Sequence, residues 1–317
     1  MTPKLTEYPM EFSNYQDFWD TKASSPKGAI AAVDGSPSEE VLQHTGRWSA
    51  QQVRQALAVT DEDHLLELGC GVGRIGRELA PHCAHWTGTD ISPLMLRHAQ
   101  QRMVGLSNAS FHQLSRSSLD MIGDGEIDKA YSIAVFCHMD KEDLYLYLCE
   151  LHRVLRPGGL IFVETWNLSH PVGWRRWAYE PLVWSRADHS QRKDVARNQF
   201  CTPEEFELYA SHAGFQVLAN YHQSQSVQLI AGKGLDAPAI AAEKARLNSV
   251  REAVAYSPLY AEFFGQFVDM LFGTLSAAEM FASLERHAQT PEAILFRPYI
   301  LSLWQENAEH WGPAPSE

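Results

Sequence analysis

Positive charge is scarce in this chain. Its 26 lysines and arginines face 39 aspartates and glutamates, giving a formal net charge of -13 and a pI near 5.5. Counterion-release binding to a phosphate backbone needs clustered Lys and Arg, so a broad nucleic-acid surface is disfavoured. Long apolar runs are missing too: nothing approaches the roughly 20 residues that cross a bilayer. The N-terminus, MTPKLTEYPMEF, has no apolar core of the kind a secretion signal carries, so a cytoplasmic location is expected. Cysteine is sparse, and Cys70, Cys83, Cys137, Cys149 and Cys201 are odd in number and widely spaced, which suits a reduced compartment better than a disulfide framework. His82-Cys83-x-His85 has no partner cluster at zinc spacing, so no metal site is expected. Internal repeats and low-complexity tracts are lacking as well. What is present is ample core: 317 residues, 45% hydrophobic and 21% charged, enough for a globular core domain with a sizeable appendage.

The most informative stretch is His64 to Asp90, HLLELGCGVGRIGRELAPHCAHWTGTD. An apolar run, His64 to Leu68, stops at Gly69-Cys70-Gly71-Val72-Gly73 and gives way to a helix-like segment; a second apolar stretch, Trp86 to Thr89, ends on Asp90. Strand, glycine turn, helix and a second strand of this kind bind adenosine-containing ligands at the carboxyl ends of parallel strands. Two glycine registers overlap. Gly71-x-Gly73-x-x-Gly76 matches a dinucleotide fingerprint, whose glycines admit a pyrophosphate. Glu67-x-Gly69-x-Gly71-x-Gly73 instead places a carboxylate at the strand end, which repels a pyrophosphate and attracts an ammonium and a sulfonium.

ELGCGVGR followed by TGTDIS resembles the first two motifs of the class I S-adenosylmethionine (SAM)-dependent methyltransferases. The resemblance implies that Gly69, Gly71 and Gly73 form the turn beneath the cofactor and that Glu67 lies near its methionine amino group. It implies that Asp90 accepts the ribose hydroxyls and that Ile91 packs on the adenine. The family's acid after the third strand, which binds the adenine amino group, has no counterpart before Asp120; Ser115 or the backbone stands in its place. Ala134 and His138 fall in the loop that the family turns toward the transferred methyl group. His138 is the candidate general base, with a loop-capping role as the alternative. Arg-Val-Leu-Arg-Pro-Gly-Gly, residues 153–159, matches a second family signature that turns the chain into a strand.

The remainder is read around that core. Residues 1–46 form an N-terminal lid and connector, in which Tyr15 and Trp19 of the Tyr-x-x-Phe-Trp-Asp pattern are candidate substrate and cofactor walls, or else core aromatics. Residues 31–40 read as a flexible link, and a helix is expected from Gly46, with Arg47 at its start reaching the cofactor carboxylate or facing solvent. Residues 47–235 make the methyltransferase core. Its insertion, 167–200, interleaves aromatics and arginines, and the substrate candidates in and beside it are Trp166, His170, Trp174, Arg175 and Trp177, with Trp184 and further arginines beyond. Strands at Phe215 to Tyr221 and Val227 to Ala231 are too close for a crossover helix and must be antiparallel. Residues 236–317 read as four helices, a helical C-terminal extension serving as substrate cover, homodimer interface or both.

The expected fold is therefore α/β: a Rossmann-like seven-stranded sheet with an antiparallel last strand, helices on both faces, and the C-terminal helices added. The expected activity is methyl transfer from SAM, with S-adenosylhomocysteine as product, to a small apolar or aromatic acceptor, at oxygen first, then nitrogen or carbon. The rival readings are an RNA or protein methyltransferase, an NAD-dependent oxidoreductase on the overlapping glycine register, and a SAM-binding protein without turnover.

Overall fold

The computed structural model describes residues 14–184 and 198–315. The chain opens with three helices, α1 (Tyr15–Lys22), α2 (Pro26–Asp34) and α3 (Glu39–Leu57), before β1 (His64–Leu68). A short α4 (Gly76–Leu79) and a 3-10 turn lead to β2 (His85–Asp90), α5 (Pro93–Arg102), β3 (Ala109–Gln113) and β4 (Ile127–Ser132). Then follow α6 (Lys141–Val154), β5 (Leu155–Asn167), α7 (Pro171–Trp184), β6 (Phe200–Cys201), α8 (Pro203–His212), β7 (Gln216–Tyr221) and β8 (Ser226–Gly232). The chain closes with α9 (Ala237–Ser249), α10 (Arg251–Val254), α11 (Pro258–Leu271), α12 (Ala277–Arg286), α13 (Pro291–Glu306) and α14 (Ala308–Trp311).

The sheet order is β3-β2-β1-β4-β5-β8-β7. β1 to β5 pair in parallel, and β8 enters antiparallel to both β5 and β7. The seven expected strands are all present, and an eighth, the two-residue β6, pairs with the end of β5. The reversed β8 follows from chain length: the few residues between Tyr221 and Ser226 leave no room for a crossover helix. At residues 153–159 the helix passes directly into β5, and Pro157 to Gly159 form an irregularity in the β4 pairing rather than a separate turn.

One face of the sheet buries Leu66, Leu68, Ile161 and Val163 against Leu148 and Leu151 of α6 and Phe206 of α8. The other buries Leu65, Trp86 and Phe162 against Val53 and Leu57 of α3, and against Leu247 and Val254 of α9 and α10. Burying both faces is what a mostly parallel sheet requires. The start of the C-terminal extension thus closes the sheet, while α11 to α13 share a separate cluster around Phe263, Met280, Phe296 and Trp304. The first expected helix of the extension is split into α9 and α10, and the last into α13 and α14, with Pro298 inside α13.

The N-terminal segment is more helical than its turn residues suggest. The expected flexible link is only the short stretch after α2, where Gly35 caps the helix at φ +80° and Ser38 caps α3 by accepting from the Val41 amide. Gly46 lies inside α3, against Arg74, where a Cβ would come within 2.6 Å of the Arg74 carbonyl oxygen. Asp140 takes the position before α6 without the expected side-chain cap.

Gly76, the last glycine of the rival register, serves packing: a Cβ there would lie 2.2 Å from Cζ2 of the fully buried Trp86 indole. Gly76→Ala is expected to destabilise the fold by about 2 kcal/mol through overpacking. Urea denaturation checks it, and an unchanged midpoint would mean that α4 shifts freely away from Trp86.

Candidate active site

β1 and β2 end side by side, and the turn between β1 and α4 opens one cavity of about 820 Å³. Gly69 at φ +75° and Gly71 at +52° both line it. A Cβ at these positions would meet Val135 at 2.5 Å and Val33 at 2.8 Å, so the turn demands glycine on steric as well as conformational grounds. Gly73, at φ +74°, faces Met103 and Ala99 of α5 instead of the cavity.

Glu67 is 3% exposed at the end of β1. Its Oε2 accepts from the Tyr131 hydroxyl at 2.7 Å, and that hydroxyl in turn accepts from Trp86 Nε1 at 2.9 Å. Burial raises the Glu67 carboxyl to about 8, against the opposing pull of Tyr131 and Arg74. Asp90 is held differently: Oδ2 accepts from the Gly71 amide at 2.8 Å and Oδ1 from the Ser92 amide at 2.9 Å. Burial raises it to about 6, and those amides act to lower it. Ile91, Ser115 and Ala134 also line the cavity, Ala134 with an unusual φ of +58°. Arg74, which follows the glycine turn and donates to Ser49 Oγ at 3.0 Å, lines this space, as does the largely exposed Arg116. Arg47 lies exposed on the far side of α3 and does not line the cavity, because α3 starts at Glu39 rather than at Gly46.

Helix α1 contributes Tyr15, Gln16, Asp17 and Trp19 to the cavity wall. Tyr15 Oη donates to Asp143 Oδ2 at 3.1 Å and accepts from the Asp140 amide at 2.9 Å, while Asp20 accepts from Ser92 Oγ at 2.5 Å. Trp19 lines the cavity and meets the His138 ring edge-on at 5.1 Å. Tyr15→Phe removes one latch between α1 and α6; S-adenosylhomocysteine release, followed by stopped-flow fluorescence, is expected to quicken about fivefold. An unchanged release rate would show that α1 does not gate the cavity.

No acid directly follows the third strand, but Asp143, in the first turn of α6, lines the cavity and accepts from Ser117 Oγ at 2.5 Å. Asp120 instead pairs with Arg116 in solvent.

His138 lines the cavity, and burial together with the nearby Arg176 guanidinium lowers it to about 4, against the pull of Glu180. It is neutral at pH 7 and a weaker base than an ordinary histidine. Arg176 and Glu180 of α7 are insertion residues whose charges reach the site, and Arg176 Nη1 donates to Glu180 Oε1 at 2.7 Å.

The other substrate candidates lie off the cavity. Trp166 packs between Phe200 and Phe264, and His170 Nδ1 accepts from the Val172 amide at the start of α7. Trp174 is 54% exposed and leans on Trp177, while Arg175 pairs with Asp269 of α11 at 3.2 Å. Stacking of Tyr179 on Phe272 at 3.8 Å completes this docking of α7 onto the extension. The Trp184 side chain and the arginines of 185–197 lie outside the described residues.

Arg74, in the cavity wall, drew no reading as a site group from the sequence, and neither did Glu164, Tyr256 and Tyr260, which are not among the lining residues. Glu164 is an acid within the buried run of β5, and that isolation in an apolar strand is the signal that marks it. The two tyrosines reach it from the C-terminal extension, with Tyr256 Oη donating to Glu164 Oε2 at 3.2 Å.

The fold and the paired acids at the ends of β1 and β2 define a class I methyltransferase domain. Residues 65–159 match a family model described as a methyltransferase domain, and the chain carries a domain of the SAM-dependent class I kind. Among curated proteins it is similar to demethylmenaquinone methyltransferase of Tropheryma whipplei, 34% identical over 117 residues, or 36% of this chain and 46% of the relative. It is also similar to malonyl-[acyl-carrier protein] O-methyltransferase of Salmonella typhimurium, 33% identical over 143 residues, 44% of this chain and 54% of that one. The chain spans about half the length of these curated relatives. Among solved structures, a chain from the complex between the Haloferax volcanii Trm112 methyltransferase activator and the putative methyltransferase aligns with a TM-score of 0.53 at 16% identity, over 70% of this chain and 99% of that one. That likeness is one of fold. The cofactor of that class is SAM.

Proposed function

We propose that this protein transfers the methyl group of SAM to a small-molecule acceptor bound in the same cavity. The observation that carries the reading is the convergence of Glu67, Asp90 and the Gly69–Gly71 turn on one space of about 820 Å³, with Arg74 also in its wall. That donor set fits the cofactor. Glu67 suits its ammonium and Arg74, whose Nε faces Asp34 at 3.9 Å without hydrogen-bond geometry, suits its carboxylate. Asp90 suits the ribose hydroxyls, Ile91 and Met95 the adenine faces, and Ser115 with Asp143 the polar adenine edge. Bound there, the cofactor supplies an electrophilic methyl group on a sulfonium.

The chain's own part is then positioning and exclusion of water, which suffices for transfer to a good nucleophile. Trp19, Tyr15 and His138 wall the space from the lid side. A small acceptor agrees with the chain's acidity and with the name of the demethylmenaquinone relative; cavities of 300–1,000 Å³ are typical of small-ligand sites. Five free cysteines are consistent with a cytoplasmic setting, and among the described residues no helix is long and apolar enough to cross a membrane. Calorimetry with SAM and with NAD tests the assignment: SAM is expected to bind and NAD not. Tight NAD binding without SAM binding would overturn it.

A further inference from the structure

Helix α3 contributes no residue to the cavity wall among the described residues, yet it holds one that does. Gly46 and Ser49 share a face of this helix, being one turn apart, and Arg74 packs on both. A Cβ at Gly46 would come within 2.6 Å of the Arg74 carbonyl oxygen and 3.3 Å of its Cγ, so the missing side chain leaves the notch in which the arginine stem lies. One turn on, Ser49 Oγ accepts from Arg74 Nη1 at 3.0 Å. Ser49 is buried, and so is most of the Arg74 side chain. The stem and one corner of the guanidinium are thus fixed by the same helix.

The rest of the guanidinium is not engaged. Nε is buried without a hydrogen-bond partner, and Nη2 has none among the described residues. Asp34, the acid that faces it, stops short: Oδ1 lies 3.9 Å from Nε and accepts instead from Thr45 Oγ1 at 2.7 Å. A carboxylate bonded directly to the guanidinium would offset the charge that an incoming carboxylate needs. A serine hydroxyl orients the same group and leaves its charge intact. A largely buried cation in that condition is costly unless an anion arrives, and Arg74 lines the cavity from which one can come.

We propose that Ser49, with the notch at Gly46 beside it, is a positioning residue that sets Arg74 to read the carboxylate of the cofactor, and that this makes the site selective for nucleosides carrying that carboxylate. The inference rests on the methyltransferase reading above, which gives Arg74 the cofactor carboxylate; it adds the group that orients Arg74 and the discrimination that follows. Pairing of a guanidinium with a carboxylate is directional, because two parallel N–H···O bonds require the plane of the fork to be set. A swinging arginine must give up rotamer freedom to form them, whereas one already held loses less. Ser49 acts through that plane and touches no ligand. The pair of ligands that exposes its role is S-adenosylhomocysteine and its decarboxylated analogue, which keeps the adenosine, the thioether and the ammonium and lacks only the carboxylate.

The test is calorimetry on the full chain with both ligands, in the wild type, Ser49→Ala, Arg74→Met and the double variant. The wild type is expected to bind S-adenosylhomocysteine at least about tenfold more tightly than the analogue. Ser49→Ala weakens S-adenosylhomocysteine about tenfold and leaves the analogue within about twofold, which also shows that the variant folds and keeps its nucleoside site. Arg74→Met makes the two ligands bind alike, and in that background Ser49→Ala costs S-adenosylhomocysteine nothing more, the coupling expected of a residue that acts through another. The selectivity of Ser49→Ala decides by itself should Arg74→Met fail to fold. The proposal is overturned if the wild type binds both ligands equally, if Ser49→Ala leaves S-adenosylhomocysteine unchanged or weakens the analogue as much, or if its loss adds in full to that of Arg74→Met. Failure of the wild type to bind either ligand would instead remove the methyltransferase reading itself, and this proposal with it.

Discussion

Asp90→Ala is expected to weaken SAM binding by about 3 kcal/mol, roughly a hundredfold, the scale of two charge-assisted hydrogen bonds lost together. Asp90 has a second task that sharpens the expectation. Its two oxygens accept from the Gly71 and Ser92 amides, so the carboxylate ties the glycine turn to the start of α5. Alanine leaves those amides without their acceptor and frees the turn to drift from the geometry that the cofactor needs. Calorimetry reads the affinity, and circular dichroism with thermal melting separates a loosened turn from global unfolding. Unchanged affinity would show that the ribose is not held at the end of β2. Burial raises Asp90 from the usual carboxylate range to about 6, so in the free protein the charged acceptor is lost as pH falls through about 6, and cofactor affinity should drop over the same interval.

The glycine turn and the acids at the ends of β1 and β2 were legible because their requirements are local. A strand end, an acid and three alternating glycines are contiguous, and their positive-φ backbone is written in the residue types themselves. The antiparallel last strand was legible for a different reason, the shortness of the connection from Tyr221 to Ser226. The N-terminal helices show where local reading fails. Asp34-Gly35-Ser36-Pro37 carries strong turn chemistry, yet Gly35 is only the left-handed cap of α2, and α3 begins at Glu39. Arg47, read as reaching the cofactor carboxylate or facing solvent, is exposed on α3 and outside the cavity wall, while Arg74 lines it.

The buried cluster at the end of β5 was less legible because it is assembled from distant parts. Tyr256 and Glu164 are 92 positions apart and meet only because α10 packs on β8 and α3 through Gln228 and Gln52. The tryptophans and arginines of the insertion drew attention by density, but Arg175 and Tyr179 spend their contacts on α11 and Phe272. Density of aromatic and basic residues thus identified a helix–helix junction as readily as a ligand wall. An acid interrupting Leu160-Ile161-Phe162-Val163 was the quieter and more informative mark, since a carboxyl within a buried strand must have a partner or a purpose.

Glu67→Gln is expected to cost about 3 kcal/mol in SAM binding at pH 8, because a buried carboxylate facing an ammonium is replaced by a neutral amide. The pH dependence is the more discriminating readout. In the free protein burial raises the carboxyl to about 8, far above its ordinary 4.5, so at pH 7 it is mostly protonated. A raised carboxyl favours the folded state while protonated. This contribution is fully present below about 4.5 and fades as pH rises through about 8, so Glu67 should make the cofactor-free protein progressively less stable across that window. Binding an ammonium reverses the balance: it requires the charged form and must expel the proton. SAM affinity should therefore rise with pH up to about 8, by nearly tenfold per unit at the lower end, with measurable proton release in buffers of different ionisation enthalpy. Glu67→Gln should abolish the slope between about pH 6 and 8 and the proton release that accompanies it. If the wild type binds SAM equally well at pH 6 and at pH 8 without releasing a proton, the ammonium does not sit on Glu67. The Tyr131 hydroxyl, which donates to Glu67 at 2.7 Å while accepting from Trp86, offers an internal control. Tyr131→Phe keeps the carboxyl but withdraws a hydrogen bond that favours its charged form, so the affinity curve should shift to higher pH with its slope intact.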